Sequence, residues 1–166
     1  MPEALPVLAF VTLQRLAELC LSASNSARLR AKGAIEFGAS HYPLMVALHA
    51  LWLAGLWLLA WSLQANWILI GVYAVLQIFR VWVIATLGGR WTTRIIVLPD
   101  APLVVAGPYR FVKHPNYVVV ALEIALLPLA FGLVFYAVIF SVANAALLFW
   151  RIRIEDRALA NAGGAV

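Results

Sequence analysis

Charge is what this chain has least of. Only 11% of its 166 residues are Asp, Glu, Lys or Arg, where a soluble domain carries about a quarter. With 65% hydrophobic residues and a mean hydropathy of +0.95, that shortage excludes an ordinary water-soluble domain and marks an integral membrane protein. Cysteine is nearly absent as well. The single Cys20 rules out an internal disulfide and, within an apolar run, reads as a buried structural thiol. No basic segment precedes the first apolar run at 2–21, so that run reads as a first membrane helix rather than a cleaved signal. Internal repeats are missing too, which argues against a secondary transporter built from inverted halves. The length fits one domain, 1–166.

What is present is a series of apolar runs of near-spanning length. Helices are expected at 4–22, 42–62, 67–87, 115–130 and 133–150. The fourth is short, and Pro128 and Gly132 mark a tight break before the fifth. The expected fold is therefore an all-α, polytopic membrane bundle of about five transmembrane helices. The net charge of +5 raises nucleic acid as a partner, but the basic residues are placed otherwise. Arg28, Arg30 and Lys32 follow the first run, Arg90, Arg94, Arg110 and Lys113 the third, and Arg151, Arg153 and Arg157 the fifth. Ten of the 12 basic residues thus fall on one side. The positive-inside rule makes that side cytoplasmic, with the N-terminus out and the C-terminus in. The basic stripe is an orientation signal, and nucleic acid is excluded as a partner.

The segment 88–113 is the longest expected cytoplasmic loop. It holds Gly88-Gly89, Pro99-Asp100, Pro102 and Gly107-Pro108, all turn signals, and a loop of that length in a compact protein is usually functional. The tail from Ala160 to Val166 is small and apolar and is expected to fray.

Polar residues inside the apolar runs form a pattern. Gln14, Arg15, Glu18, His49, Gln77, Arg80, Glu123 and Asn144 all fall at about 6–14 Å from the cytoplasmic ends of their spans at helical rise. Intramembrane ionisable groups are costly and usually face the bundle interior. Two explanations stand side by side. Arg15 with Glu18, or Arg80 with Glu123, can act as interhelical glue. Alternatively, the layer is the wall of a cavity open to the cytoplasm.

Two edge segments carry the chemistry. GPYRFVKHPNY ends at Tyr117, and RIRIED begins at Arg151. Pro115 suits the first turn of a helix and pushes His114 out of it. His114 is then free to face a site beside unpaired backbone N–H groups, with Asn116 and Tyr117 adding polar and aromatic contacts. Arg151 and Glu155 share a helical face. The Glu155-Asp156 doublet suits an ammonium group, and Arg151 an anionic substrate group. Each segment alone is explained by interfacial anchoring or a solvated helix end. Joined by a short antiparallel hairpin, they point to one shared ligand site.

PLVVAGPYRFVKHPNY, an apolar hairpin and RIRIED resemble the isoprenylcysteine carboxyl methyltransferase family, over residues 88–159. The phospholipid N-methyltransferases share a looser form of the pattern. The resemblance implies S-adenosyl-L-methionine-dependent methyl transfer at the membrane surface. It assigns Leu103, Val104, Tyr109, His114, Pro115, Asn116, Tyr117 and Glu155 to cofactor binding and Arg151 to the substrate side. No metal is implied. Glu123 and His49 are candidate general bases, needed for a hydroxyl substrate and not for a carboxylate. Two features depart from the family: the acidic pair is Glu-Asp rather than Glu-Glu, and the usual basic and aromatic tail after it is missing. RLAEL, SNSARLRAKGAIEFG and HYPLMVALH resemble bacterial members associated with type III polyketide synthases, thought to O-methylate alkylpyrones or alkylresorcinols. The expected function is O-methylation of a lipophilic small molecule by a multi-pass protein of the bacterial inner membrane. The alternatives are a phospholipid N-methyltransferase and a non-enzymatic transport or scaffold protein.

Overall fold

A few polar and conformationally special residues set the helix boundaries in the computed structural model, which describes residues 3–99 and 101–161. The helices are α1 (Ala4–Ala31), α2 (Tyr42–Ala60), α3 (Trp67–Leu87), α4 (Pro115–Ala130) and α5 (Val134–Asn161). The Asn66 side chain caps α3 by accepting from the N–H groups of Ile68 and Leu69 at 3.1 and 3.3 Å, which meets two of the helix's orphan donors. Pro115 occupies the first turn of α4. At the α4–α5 break, Gly132 takes φ +75°. Its N–H bonds the Leu129 carbonyl, and that of Leu133 bonds the Pro128 carbonyl, both at 3.0 Å. This is a Schellman turn, which needs a residue tolerant of positive φ.

The all-α bundle is as expected, and α1, α2, α3 and α5 are long and apolar enough to cross a membrane. The 16-residue α4 rises only about 24 Å at helical pitch, less than a typical hydrocarbon core of about 30 Å. It is the central helix, packed between α3 and α5, with Val119, Ile124 and Leu127 fully buried. Protein rather than lipid therefore surrounds much of it. The main apolar core gathers Leu8 and Val11 of α1, Trp52 and Leu56 of α2, Tyr73 of α3 and Ile124 of α4. Leu13, Leu58, Ile68 and Phe135 point outward and exposed, as a lipid-facing surface requires.

Two helices run past the ends of their apolar runs. α1 continues to Ala31 and α5 to Asn161, whereas the hydropathy pattern stops at Ser22 and Trp150. Leaving the apolar layer lowers hydropathy without breaking a helix, and α1 meets no glycine until Gly33, which has φ +86°. The segment 88–113 also differs from an open loop. It contains a 3₁₀ turn at Gly88–Arg90, a strand β2 at Ile95–Val97 and a second 3₁₀ turn at Gly107–Arg110. β2 pairs antiparallel with β1 (Ile35–Phe37), Glu36 opposite Ile96. Strands of three residues are too short to leave a periodic signal. Of the turn signals in this segment, Asp100 lies outside the described residues, as does the tail beyond 161.

The ribbon matters because it fixes the end of α5. Ile95, Val97 and Ala158 form a small second core, joined by Phe37, Ile154 and Leu159. Glu36 on β1 accepts from Arg94 at 2.6 Å and is also paired with Arg30. Partial burial would raise the Glu36 carboxyl, but these two guanidinium groups hold it below its usual range. Ribbon, both 3₁₀ turns, the start of α4 and the end of α5 thus gather at one end of the bundle.

Candidate functional site

The intramembrane polar residues lie beneath the site. Arg15, Glu18, Arg80 and Glu123 close into one ion network across α1, α3 and α4. Arg15 reaches Glu18 at 3.0 Å and Glu123 at 2.6 Å. Arg80 reaches Glu18 at 2.5 Å and Glu123 at 2.7 Å. Gln77 donates to Glu123 at 2.8 Å, and Gln14 donates to Gln77 at 2.7 Å. Two cations and two carboxylates balance, as burial in a low dielectric demands. Asn144 is buried on α5. His49 bonds its own helix instead: its Nδ1 lies 2.8 Å from the Met45 carbonyl. A carbonyl can only accept, so Nδ1 carries a proton, and in the neutral ring Nε2 is the nitrogen with the lone pair.

The site itself is built on the 88–94 turn, α4 and α5. The α1 extension clamps the turn: Asn25 donates to the carbonyls of Gly88 and Trp91 at 3.1 and 2.9 Å. Ser22 accepts from the Thr93 N–H at 2.8 Å. From the other side Arg151 donates to the Thr93 carbonyl at 2.8 Å, to the Tyr117 hydroxyl at 2.7 Å and to the Met45 sulfur at 3.1 Å. Tyr117 in turn donates to Glu155. Arg151, Tyr117 and Glu155 therefore form a directed chain from cation to carboxylate. The His114 ring stacks on that of Tyr117, 5.3 Å between centroids and 24° between planes.

The acidic doublet divides. Asp156 takes Lys113 and the Nε2 of His114, each at 3.1 Å, while the Nδ1 of the same ring lies 3.9 Å from Glu155. Burial would raise its carboxyl, but hydrogen bonds and positive charge from Lys113 and His114 hold it below the usual value. The two carboxylates do not share an ammonium site: Asp156 orients His114, and Glu155 is the one that lines a cavity.

Two cavities meet here. The first, of about 300 Å³, lies in the membrane part and is lined by Leu16, Leu19, Met45, Val46, His49, Leu53 and Leu148 among others, with Arg15, Glu18 and Arg80 on one wall. Leu16, Leu19 and Val46 are exposed on the outer surface, so this cavity borders the lipid between α1 and α2. The second, of about 270 Å³, lies at the ribbon end and is lined by Leu103, Val104, Tyr109, His114, Asn116, Tyr117 and Glu155, together with Arg90, Trp91 and residues 95–98. Burial, and then the negative charge of Glu155, raise the Tyr109 phenol, which stays a neutral donor. Trp91, Asn116, Tyr117 and Arg151 line both cavities and form the wall between them.

The sequence-derived candidates thus separate. Leu103, Val104, Tyr109, His114, Asn116, Tyr117, Glu155 and Arg151 converge on the second cavity, while Pro115 is buried outside its lining and starts the helix. His49 lines the first cavity, as Arg151 does. Glu123 is fully buried, is among the linings of neither cavity and has its carboxylate engaged by Arg15, Arg80 and Gln77. Sequence reasoning missed Trp91, Thr93, Ser22 and Asn25. The helical spacing of Ser22, Asn25 and Ser26 past the apolar run is the available sign that α1 continues and packs a polar face.

The sequence profile of the isoprenylcysteine carboxyl methyltransferase family matches residues 67–161, from the start of α3 to the end of α5. The chain is also similar to the uncharacterized protein YpbQ of Bacillus subtilis (strain 168), with 43% identity over 159 residues that cover 92% of this chain and 94% of that one. No solved structure matches.

Proposed function

We propose a reaction on one premise: the chain belongs to the isoprenylcysteine carboxyl methyltransferase family, a family of membrane methyltransferases. It uses S-adenosyl-L-methionine to methylate an oxygen, carboxylate or hydroxyl, of a lipophilic small molecule. The work is done at the cytoplasmic face of a bacterial inner membrane, with the N-terminus outside and the C-terminus inside. The observation that carries this reading is the meeting of a polar cavity and a lipid-bordering apolar cavity at one wall of four side chains.

The second cavity fits the cofactor by the chemistry of its residues. Glu155 is a carboxylate for the amino group. Tyr109, His114 and Tyr117 are aromatic faces, which tolerate a planar base or a cationic sulfonium. Leu103 and Val104 are apolar walls, and the Asn116 Oδ1 is a buried acceptor with no hydrogen-bond partner. Bound there, S-adenosyl-L-methionine supplies a methyl group made electrophilic by its sulfonium charge. The protein supplies position and water exclusion, the main protein contributions to such a displacement.

Each wall residue then has a task. Arg151 keeps a positive charge beside both cavities and is held there by Tyr117 and Thr93, which favours an anionic oxygen in the first cavity. Pro115 keeps His114 outside the helix, and Asp156 orients its ring. A carboxylate substrate needs no base. A hydroxyl does, and the Nε2 lone pair of His49 is the one for it, since Glu123 is committed to the ion network. The apolar outer side of the first cavity suits a tail that remains in the bilayer. A polar ring on a long alkyl tail, as in an alkylpyrone or alkylresorcinol, has the shape such a cavity takes.

The test is transfer from methyl-labelled S-adenosyl-L-methionine to a total lipid extract by purified protein, with identification of the labelled product. Label in an O-methyl group of a lipophilic acid, enol or phenol is expected. Label on a lipid amine, or none in the hydrophobic fraction, contradicts the reading.

A further inference from the structure

The wall between the two cavities contains a mismatch. Trp91 and Asn116 both line the two cavities, and each keeps a buried polar atom without a hydrogen-bond partner: the Nε1 of Trp91 and the Oδ1 of Asn116. One is a donor only, the other an acceptor. Buried polar groups in native proteins are nearly always paired, so an orphan calls for a reason. Loose packing is not the reason for Trp91. It is 2% exposed, its backbone N–H bonds the Gly88 carbonyl at 3.1 Å, and Asn25 holds its own carbonyl at 2.9 Å. The chain has fixed the indole firmly at a position where its N–H has nothing to bond.

We propose that Trp91 is the substrate-facing hydrogen-bond donor of the transfer point, sealed in the ligand-free wall and satisfied when a substrate oxygen reaches that wall. This rests on the methyltransferase reading and narrows its substrate class. An indole N–H can only donate, so the group brought to the wall must present an acceptor: a carboxylate, or the oxygen of an enol or phenol. A protonated amine presents none. Arg151 differs from it, because three of its five N–H groups are already engaged by Tyr117, Met45 and Thr93, whereas the indole's single N–H has no partner. Arg151 supplies charge, and Trp91 supplies an unpaired N–H in the wall itself. The orphan is also a source of selectivity: a ligand that satisfies it gains what the ligand-free wall lacks, and one that cannot leaves it unpaired.

The experiment follows the indole N–H signals of protein labelled with ¹⁵N-tryptophan in lipid nanodiscs. The chain has 7 tryptophans, and Trp91→Phe identifies the one that matters while keeping an aromatic ring in the wall. The probes are sodium tetradecanoate, tetradecylammonium and S-adenosylhomocysteine. Tetradecanoate is expected to move the Trp91 signal downfield, and the other two to leave it in place. In parallel, Trp91→Phe is expected to lower kcat/KM for methyl transfer about tenfold or more, the scale of one hydrogen bond to a charged group. Its affinity for S-adenosyl-L-methionine should stay within about twofold of wild type. A signal indifferent to tetradecanoate, or moved by S-adenosylhomocysteine alone, overturns the proposal. A signal that responds to tetradecanoate in a protein that binds no S-adenosylhomocysteine leaves Trp91 as an acid contact and overturns the methyltransferase reading instead.

Discussion

The same residue types, arginine and glutamate, build two regions a few helical turns apart, and the two have opposite character. In the membrane layer Arg15, Glu18, Arg80 and Glu123 pair in a closed square, each carboxylate accepting from both guanidinium groups. At the ribbon end Arg151 and Glu155 are joined through Tyr117, beside two orphaned polar atoms and between two cavities. The closed network holds helices together, and its carboxylates resist a ligand because a competitor must replace contacts already made, although the Arg15 Nε within it has no partner. The open chain leaves the Arg151 charge joined to Glu155 only through the Tyr117 hydroxyl. Glu123 and Glu155 both qualify as functional acids by residue type, and their surroundings separate them.

Glu123→Ala is the largest expected effect and the strongest attempt to break the comparison. It strands Arg15 and Arg80 in the membrane interior, and removing one member of a buried ion network costs about 3–5 kcal/mol. Thermal unfolding in detergent should show a large drop. A variant that melts like wild type but transfers no methyl group would put Glu123 in the site.

His49→Phe comes next. With a hydroxyl substrate, loss of a general base should lower kcat about 100-fold. With a carboxylate substrate kcat should hardly change. Equal losses on both would mean that His49 shapes the cavity and moves no proton.

Tyr117→Phe tests the open chain directly. It removes the hydroxyl that links Arg151 Nε to Glu155, and a fall in kcat/KM of about tenfold is expected for the lost charge-assisted bonds. Little change in melting should accompany it. A stability loss comparable to that of Glu123→Ala would erase the distinction between the regions.

The smallest effect belongs to Asp156. Its carboxyl sits below its usual value in the folded state, so its stabilising contribution is present above that usual value and fades as pH falls through the lowered one. The pairs are partly exposed, and a few tenths of a kcal/mol is the expected scale. The melting difference between wild type and Asp156→Asn should be visible near neutral pH, shrink in high salt and vanish at a pH low enough to protonate the carboxyl in the folded state as well. A difference that persists at that pH would mean packing rather than charge.

Much of this arrangement is legible in the amino-acid sequence. Apolar runs announce the bundle, Pro128 and Gly132 its tight break, and Pro115 the freedom of His114. The depth coincidence of Arg15, Glu18, Arg80 and Glu123 points to a layer, but not to which pairs form, because several pairings satisfy the same charges. The extension of α1 past Ser22 and of α5 past Trp150 is hidden, since hydropathy reports the end of the apolar layer and not the end of a helix. The ribbon is hidden by its length. With it goes the role of Trp91, whose neighbours come from α1, α4 and α5 and are far apart in the chain.

Calorimetric titration of S-adenosyl-L-methionine into purified protein, its Glu155→Gln variant and its Glu123→Gln variant tests the central claim most directly. Wild type is expected to bind with one site. Glu155→Gln should melt normally and lose affinity about tenfold or more. Glu123→Gln should melt early yet bind, where it remains folded, with affinity close to wild type. No binding by wild type, or an affinity that Glu155→Gln leaves untouched and Glu123→Gln abolishes, would contradict the account.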